Sequence, residues 1–279
     1  MTVRVPTRVV LSMEASDGAG VKLRRSIGSP TLRNLDPFLM LDAFGTDNPD
    51  DYIAGFPPHP HRGFETVTYM LAGNMQHRDS VGNEGNLVAG SVQWMTAGRG
   101  IIHSEMPQQA EGRMSGFQLW INLPAADKMC APAYQDLPPE AMPVVAMEDG
   151  AIVKIIAGTF EGVRGPIAPK ATDPTMLDAT LPPGASIRLA VRPDDAAFFY
   201  AFEGAVSAGG SEPVADRHVA VLGPGDEIVL TGGPSGGRAL LLVGRPLREP
   251  IVQYGPFVMT SNAEIHEAIR DYQQGRFGT

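Results

Sequence analysis

Phe56-Pro57-Pro58-His59-Pro60-His61-Arg62-Gly63-Phe64-Glu65 and, further along, Gly98-Arg99-Gly100-Ile101-Ile102-His103-Ser104-Glu105 decide how this chain is read. They hold three of its six histidines, in clusters with metal-ligand spacing. Successive side chains on an extended strand alternate faces, so residues 59, 61 and 65 are expected to share one side, as are 103 and 105. Gly55 and Gly73 bracket the first cluster and Gly90, Gly98 and Gly100 precede the second, so both stretches read as strands bounded by turns. Two such strands aim five imidazole and carboxylate groups at one point. That donor set suits divalent iron, manganese, nickel, copper or zinc; with no thiolate, it resembles neither a structural zinc site nor an iron-sulfur site.

The rest of the chain describes the setting. At 279 residues the length implies about two domains, and 43% hydrophobic residues suffice for two cores. Thirty-two glycines and 25 prolines suit many short strands and tight turns better than long helices. The net charge of −9 argues against direct nucleic-acid binding, which needs clustered Lys and Arg, and Lys22 to Arg25 reads as a solvated turn. The lone Cys130 forms no internal disulfide, and no signal peptide or membrane-spanning run of ~20 apolar residues is visible, so a soluble cytoplasmic protein with no membrane partner is expected.

Val3 to Met13, residues 64–72, 91–96 and 117–123 read as strands. In the last of these, Gln118, Trp120 and Asn122 share one face and the apolar residues the other. Proline concentrates over 124–143, which reads as a linker, so the expected organisation is a metal-binding domain over 1–130, a Pro-rich linker over 131–143 and a second domain over 144–279. In that second half Ala197 to Phe202 and Gly223 to Leu230 repeat the strand and turn rhythm, but His218 stands alone, a pattern more typical of a hydrogen-bonded group than of a ligand. Ser261 and Glu264 form a capping-box pattern before Ile265, Ala268, Ile269 and Tyr272 at helical spacing, with His266 off the apolar stripe.

The two-cluster layout resembles the cupin barrel, and longer stretches resemble one cupin family, the pirins. These are Asp36 to Asp42, Phe56 to Tyr69, Gln93 to Pro107, Leu119 to Leu123, Asp127 to Met129, Tyr134 to Asp136 and Gly255 to Met259. The resemblance implies an all-β bicupin, two antiparallel jelly-roll barrels with a short C-terminal helix and metal in the first barrel only. Most metal-binding cupins place the acidic ligand four residues after the second histidine, here Glu65; pirins place it two after the third, here Glu105. The pirin pattern implies His59, His61, His103 and Glu105 as metal ligands, with Glu65 beside them as a hydrogen-bond partner. Iron(II) is the expected ion, because mixed imidazole and carboxylate ligation with open positions is typical of non-haem iron oxygenases.

Bacterial pirins include quercetin 2,3-dioxygenases, which open the central ring of a flavonol with O2 and release carbon monoxide. The resemblance therefore implies a flavonol substrate, with Glu105, or Glu65 if unligated, accepting the proton of its 3-hydroxyl. Eukaryotic pirins imply a rival, a regulatory protein whose metal redox state alters its association with transcription factors, and some bacterial pirins imply control of metabolic enzymes. One metal shell serves both readings.

Overall fold

The computed structural model describes residues 1–168 and 170–277. The chain forms two compact units, each assembled from non-contiguous pieces: Met1–Met13, Pro30–Asp36 and Glu140–Pro246 in one, and Glu14–Ser29, Pro37–Pro139 and Leu247–Thr279 in the other. Both are antiparallel β structures of cupin type, with a single α-helix, Asn262–Gln273, among the described residues.

The unit containing both histidine clusters has two main sheets. The first runs, strand beside strand, Ala133–Leu137, Val92–Thr96, Phe64–Ala72, Met114–Asn122, Phe38–Thr46, Val21–Ile27 and Met13–Asp17. The second runs Phe56–His61, Ile101–Pro107, Asn74–Asp79 and Glu84–Val88. Pro57, Pro58 and Pro60 are tolerated because Phe56–His61 is an edge strand, where a missing N–H leaves no ladder partner unsatisfied. On Met114–Asn122 the expected alternation holds: Phe117, Leu119 and Ile121 are fully buried, while Gln118 and Trp120 face the other way and are half-buried.

Two boundaries differ from expectation. Residues 131–143 are not simply a linker, since Ala133–Leu137 pairs along Val92–Thr96 and its neighbouring Pro138 ends an edge strand. The domains also do not divide at 130 and 144. Pro6–Leu11 pairs with His218–Leu222, and Leu247 onward, helix included, belongs with the histidine clusters. The helix starts as its capping pattern predicts, Ser261 Oγ accepting the Glu264 N–H at 3.3 Å and the Glu264 carboxylate reaching back to the backbone N–H groups of Thr260 and Ser261. Ile265 and Ala268 bury against Phe257, Met259 and Phe277, and His266 is exposed.

The other unit is built on one nine-stranded sheet that includes the long strands Ala196–Ala208 and Glu227–Gly244, with a separate two-stranded sheet of Thr159–Phe160 and Val163–Arg164. Its core is aliphatic and aromatic: Ile155, Leu177, Phe199, Leu230 and Leu241 are fully buried. His218 is half-buried and its Nδ1 lies 2.9 Å from the Asp216 carbonyl. Among the described residues no helix is long and apolar enough to cross a membrane.

Candidate metal centre

Strand pairing brings the two clusters together. Phe56–His61 lies antiparallel to Ile101–Pro107 with His59 opposite His103, and on the other flank Asn74–Asp79 sets Asp79 opposite His103 and His77 opposite Glu105. Alternation turns Ile101, His103 and Glu105 inward and leaves Ile102 and Ser104 half-exposed. One ring nitrogen each from His59, His61 and His103 then lies within 4.8 Å of the others, the group of metal-ligand type found among the described residues.

The protonation of these rings follows from their surroundings. His59 Nδ1 is 2.8 Å from the Pro57 carbonyl, which only accepts, so Nδ1 is the donor and Nε2 is left facing the other histidines. That Nε2 is 3.0 Å from His61 Nε2. Burial, reinforced by the neighbouring histidines, pushes His61 and His103 well below the usual imidazole value, so both are neutral near pH 7 and retain a lone pair. His103 Nε2 is buried without a hydrogen-bond partner. Two metal bonds of about 2.1 Å at a right angle would hold their nitrogens about 3.0 Å apart, which is the separation of the His59 and His61 nitrogens. Three converging imidazoles, two of them held neutral by burial and one of those with an orphaned buried nitrogen, fit a divalent cation. Phe64 and Trp120 pack edge-on against His61, at 5.1 and 5.2 Å between ring centres, and fix its plane.

The carboxylates are placed differently. Glu105 is buried on the histidine face, and Thr68 Oγ1 lies 2.9 Å from its Oε1 and 2.6 Å from the Gln118 side-chain oxygen position. A hydroxyl has one proton, so the arrangement that satisfies all three groups runs from a Gln118 amide N–H to Thr68 and from the Thr68 hydroxyl to Glu105. Glu65 belongs to a different strand from His59 and His61. The chain turns at Arg62-Gly63, where Gly63 has φ +88° and a Cβ would lie 2.1 Å from the Val258 carbonyl oxygen, so the expected single face through 59, 61 and 65 is not formed. Within Phe64–Ala72, residue 65 points opposite to Thr66 and Thr68, and its carboxylate accepts from Thr96 Oγ1 at 2.6 Å.

The family model described as Pirin matches residues 20–121, and that described as the Pirin C-terminal cupin domain matches 176–278. The chain belongs to the pirin family. A pirin-like protein of Caulobacter vibrioides is 47% identical over 278 residues, covering 99% of this chain and 100% of that protein. The pirin of Homo sapiens is 44% identical over 277 residues, 98% of this chain and 93% of that one. The crystal structure of a quercetin 2,3-dioxygenase from Acinetobacter baumannii superposes with a TM-score of 0.92 at 33% identity, covering 100% of this chain and 99% of that one.

In this pirin the turn after His61 is held by buried charge. Arg62 donates to the Arg99 carbonyl at 2.6 Å and to Asp271 of the helix at 2.8 Å, and its guanidinium stacks 4.4 Å over Phe277. Lys128, fully buried, donates to Gly63 O, Asn122 Oδ1 and Val258 O at 2.8, 2.7 and 2.9 Å, one acceptor for each ammonium hydrogen, while burial lowers it to about 8. Sequence reading missed these anchors and also His77, which is fully buried with its ring against those of His103 and Tyr134. The signal for His77 was the alternation of Met75, His77 and Asp79 in a short strand.

Proposed function

We propose that this pirin is an iron(II)-dependent dioxygenase that opens the central ring of a flavonol such as quercetin with O2 and releases carbon monoxide. The observation that carries the reading is the convergence of three largely buried imidazoles on one point, in a chain that follows a quercetin 2,3-dioxygenase over its full length. His59, His61 and His103 would hold the ion, with Glu105 as fourth ligand. Iron held there supplies Lewis acidity toward the flavonol 3-hydroxyl and a route for dioxygen to reach the ring.

The protein's own groups do the remaining work. Glu105 accepts the 3-hydroxyl proton on a carboxylate oxygen, and the Gln118–Thr68 hydrogen-bond chain orients that carboxylate. Trp120 and Phe64 cover His61 with apolar surface and keep water from its ring. Glu65, turned away from the histidines and bonded to Thr96, takes no part in the proton transfer.

The test is spectrophotometric. Iron-loaded protein given a panel of flavonols should bleach at least one of them in air but not under argon, with one carbon monoxide formed per flavonol lost. If iron is bound stoichiometrically and no flavonol is consumed, the dioxygenase reading fails and a metal-dependent binding role takes its place.

A further inference from the structure

His77 is the buried ionisable group nearest the imidazole cluster that the proposed chemistry leaves without a task. It sits opposite Glu105 in register, and its Nδ1 lies 3.4 Å from Nδ1 of His103, the rings being 5.4 Å apart between centres. Both rings are buried. A contact between two imidazole nitrogens is stable only if one carries a proton and the other a lone pair.

Which carries it follows from the far side of His103. There Nε2 has no hydrogen-bond partner, and it is the nitrogen left to join those of His59 and His61. A neutral imidazole has one proton, so a free lone pair on Nε2 puts the proton on Nδ1, pointing at His77. We propose that His77 is a positioning residue: its Nδ1 accepts the His103 Nδ1–H and so fixes the tautomer and ring plane in which His103 Nε2 faces the metal. This rests on the metal reading above.

Metal-bound histidines usually hand their second N–H to a carboxylate or a backbone carbonyl. An imidazole acceptor does the same without adding negative charge. A divalent ion bound by three neutral histidines and Glu105 then retains a net positive charge, which favours an anionic, deprotonated flavonol. Tyr134, with its ring centre 4.8 Å from that of His77, closes the opposite side and prevents the ring from swinging away.

The experiment uses full-length protein and has two readouts. Long-range 1H–15N NMR of the metal-free protein reports the tautomer directly: His103 protonated on Nδ1 and His77 on Nε2 are expected, and His103 protonated on Nε2 would overturn the inference. Zinc affinity, measured by chelator competition, should fall ~10- to 100-fold in His77→Leu, the usual cost of losing such a partner. It should stay within a few-fold in His77→Asn, whose side-chain oxygen lies close to the place of Nδ1. Equal weakening in the two variants, or none in His77→Leu, would overturn it; should His77→Leu not fold, the wild-type tautomer and His77→Asn decide. Wild-type protein with the expected tautomer but no zinc binding would sink the metal reading while leaving His77 as the residue that sets the His103 tautomer.

Discussion

The two units share a cupin-type β architecture with an apolar core, and they differ in the imidazoles that one of them buries as well. One interior is lined by Ile155, Leu177, Phe199 and Leu241; the other buries His61, His77, His103, Glu105 and Thr68. Burying an aliphatic side chain contributes about 1.5–3 kcal/mol, whereas a buried polar group costs free energy unless something satisfies it. The first interior is therefore what a β-barrel needs to be stable. The second carries groups that stability alone would not select, and a cation held by the histidines would turn their lone pairs from a cost into a gain.

Ligand removal should break the contrast most. His103→Ala should leave the purified protein without stoichiometric metal and abolish the rise in melting temperature on adding metal, a gain of about 2.7 kcal/mol at a hundredfold excess over Kd. His218→Ala, in the aliphatic unit, should change neither. Equal losses in both variants, by elemental analysis and calorimetry, would erase the distinction between the units.

The converse probe is Leu241→Ala, which should cost about 3 kcal/mol in denaturant melts by opening a cavity in a fully buried site. The fraction that stays folded should still bind metal with wild-type affinity. If metal affinity drops with it, the two interiors are not independent.

A smaller effect, about 2 kcal/mol at pH 7, is expected from Lys128→Met, because three buried oxygens lose their donor. Its pH dependence has a definite sign. The folded-state value of Lys128 lies at about 8 against an ordinary 10.5, so between those limits the unfolded chain binds more protons and the wild type gains stability as pH rises. The gap between wild type and variant should therefore widen from pH 8 to 10; a gap that narrows would mean that the ammonium is not penalised by burial.

The mildest comparison lies between the carboxylates. Glu65→Gln keeps an oxygen for Thr96 and should cost about 0.5 kcal/mol with metal retained. Glu105→Gln should weaken metal retention at least ~10-fold, since an amide is a poor donor to a hard cation. The reverse ranking would move the fourth ligand to Glu65.

The convergence of His59, His61 and His103 was legible because alternation fixes the face of imidazoles at i and i+2 on a strand; Glu105 as their companion ligand stands as a proposal. The aliphatic strands of the other unit were legible for the same reason. What stayed hidden was pairing at long range. Val3 to Met13 reads as a strand, but nothing local says that its partner is His218–Leu222. Prolines misled at the apparent linker, because an edge strand accepts a residue without an N–H as readily as a loop does. Glu65 was misassigned because a single glycine, Gly63, restarts the alternation, and the need for that turn is imposed by Val258, remote in the sequence.

The turn beside His61 leans on the far end of the chain: Arg62 on Asp271 and Phe277, Lys128 on Val258, Gly63 against the same carbonyl. Synthesis proceeds from the N-terminus, and domains usually fold as they emerge from the ribosome. Here a nascent chain that has already delivered every imidazole and carboxylate of the candidate site still lacks the groups that lock His61 in place, and must pass through the whole of residues 140–246 before they appear. Metal capture that needs a fixed His61 would thereby wait for residues beyond Pro246, so a product cut off before them would carry the candidate ligands without the finished grip.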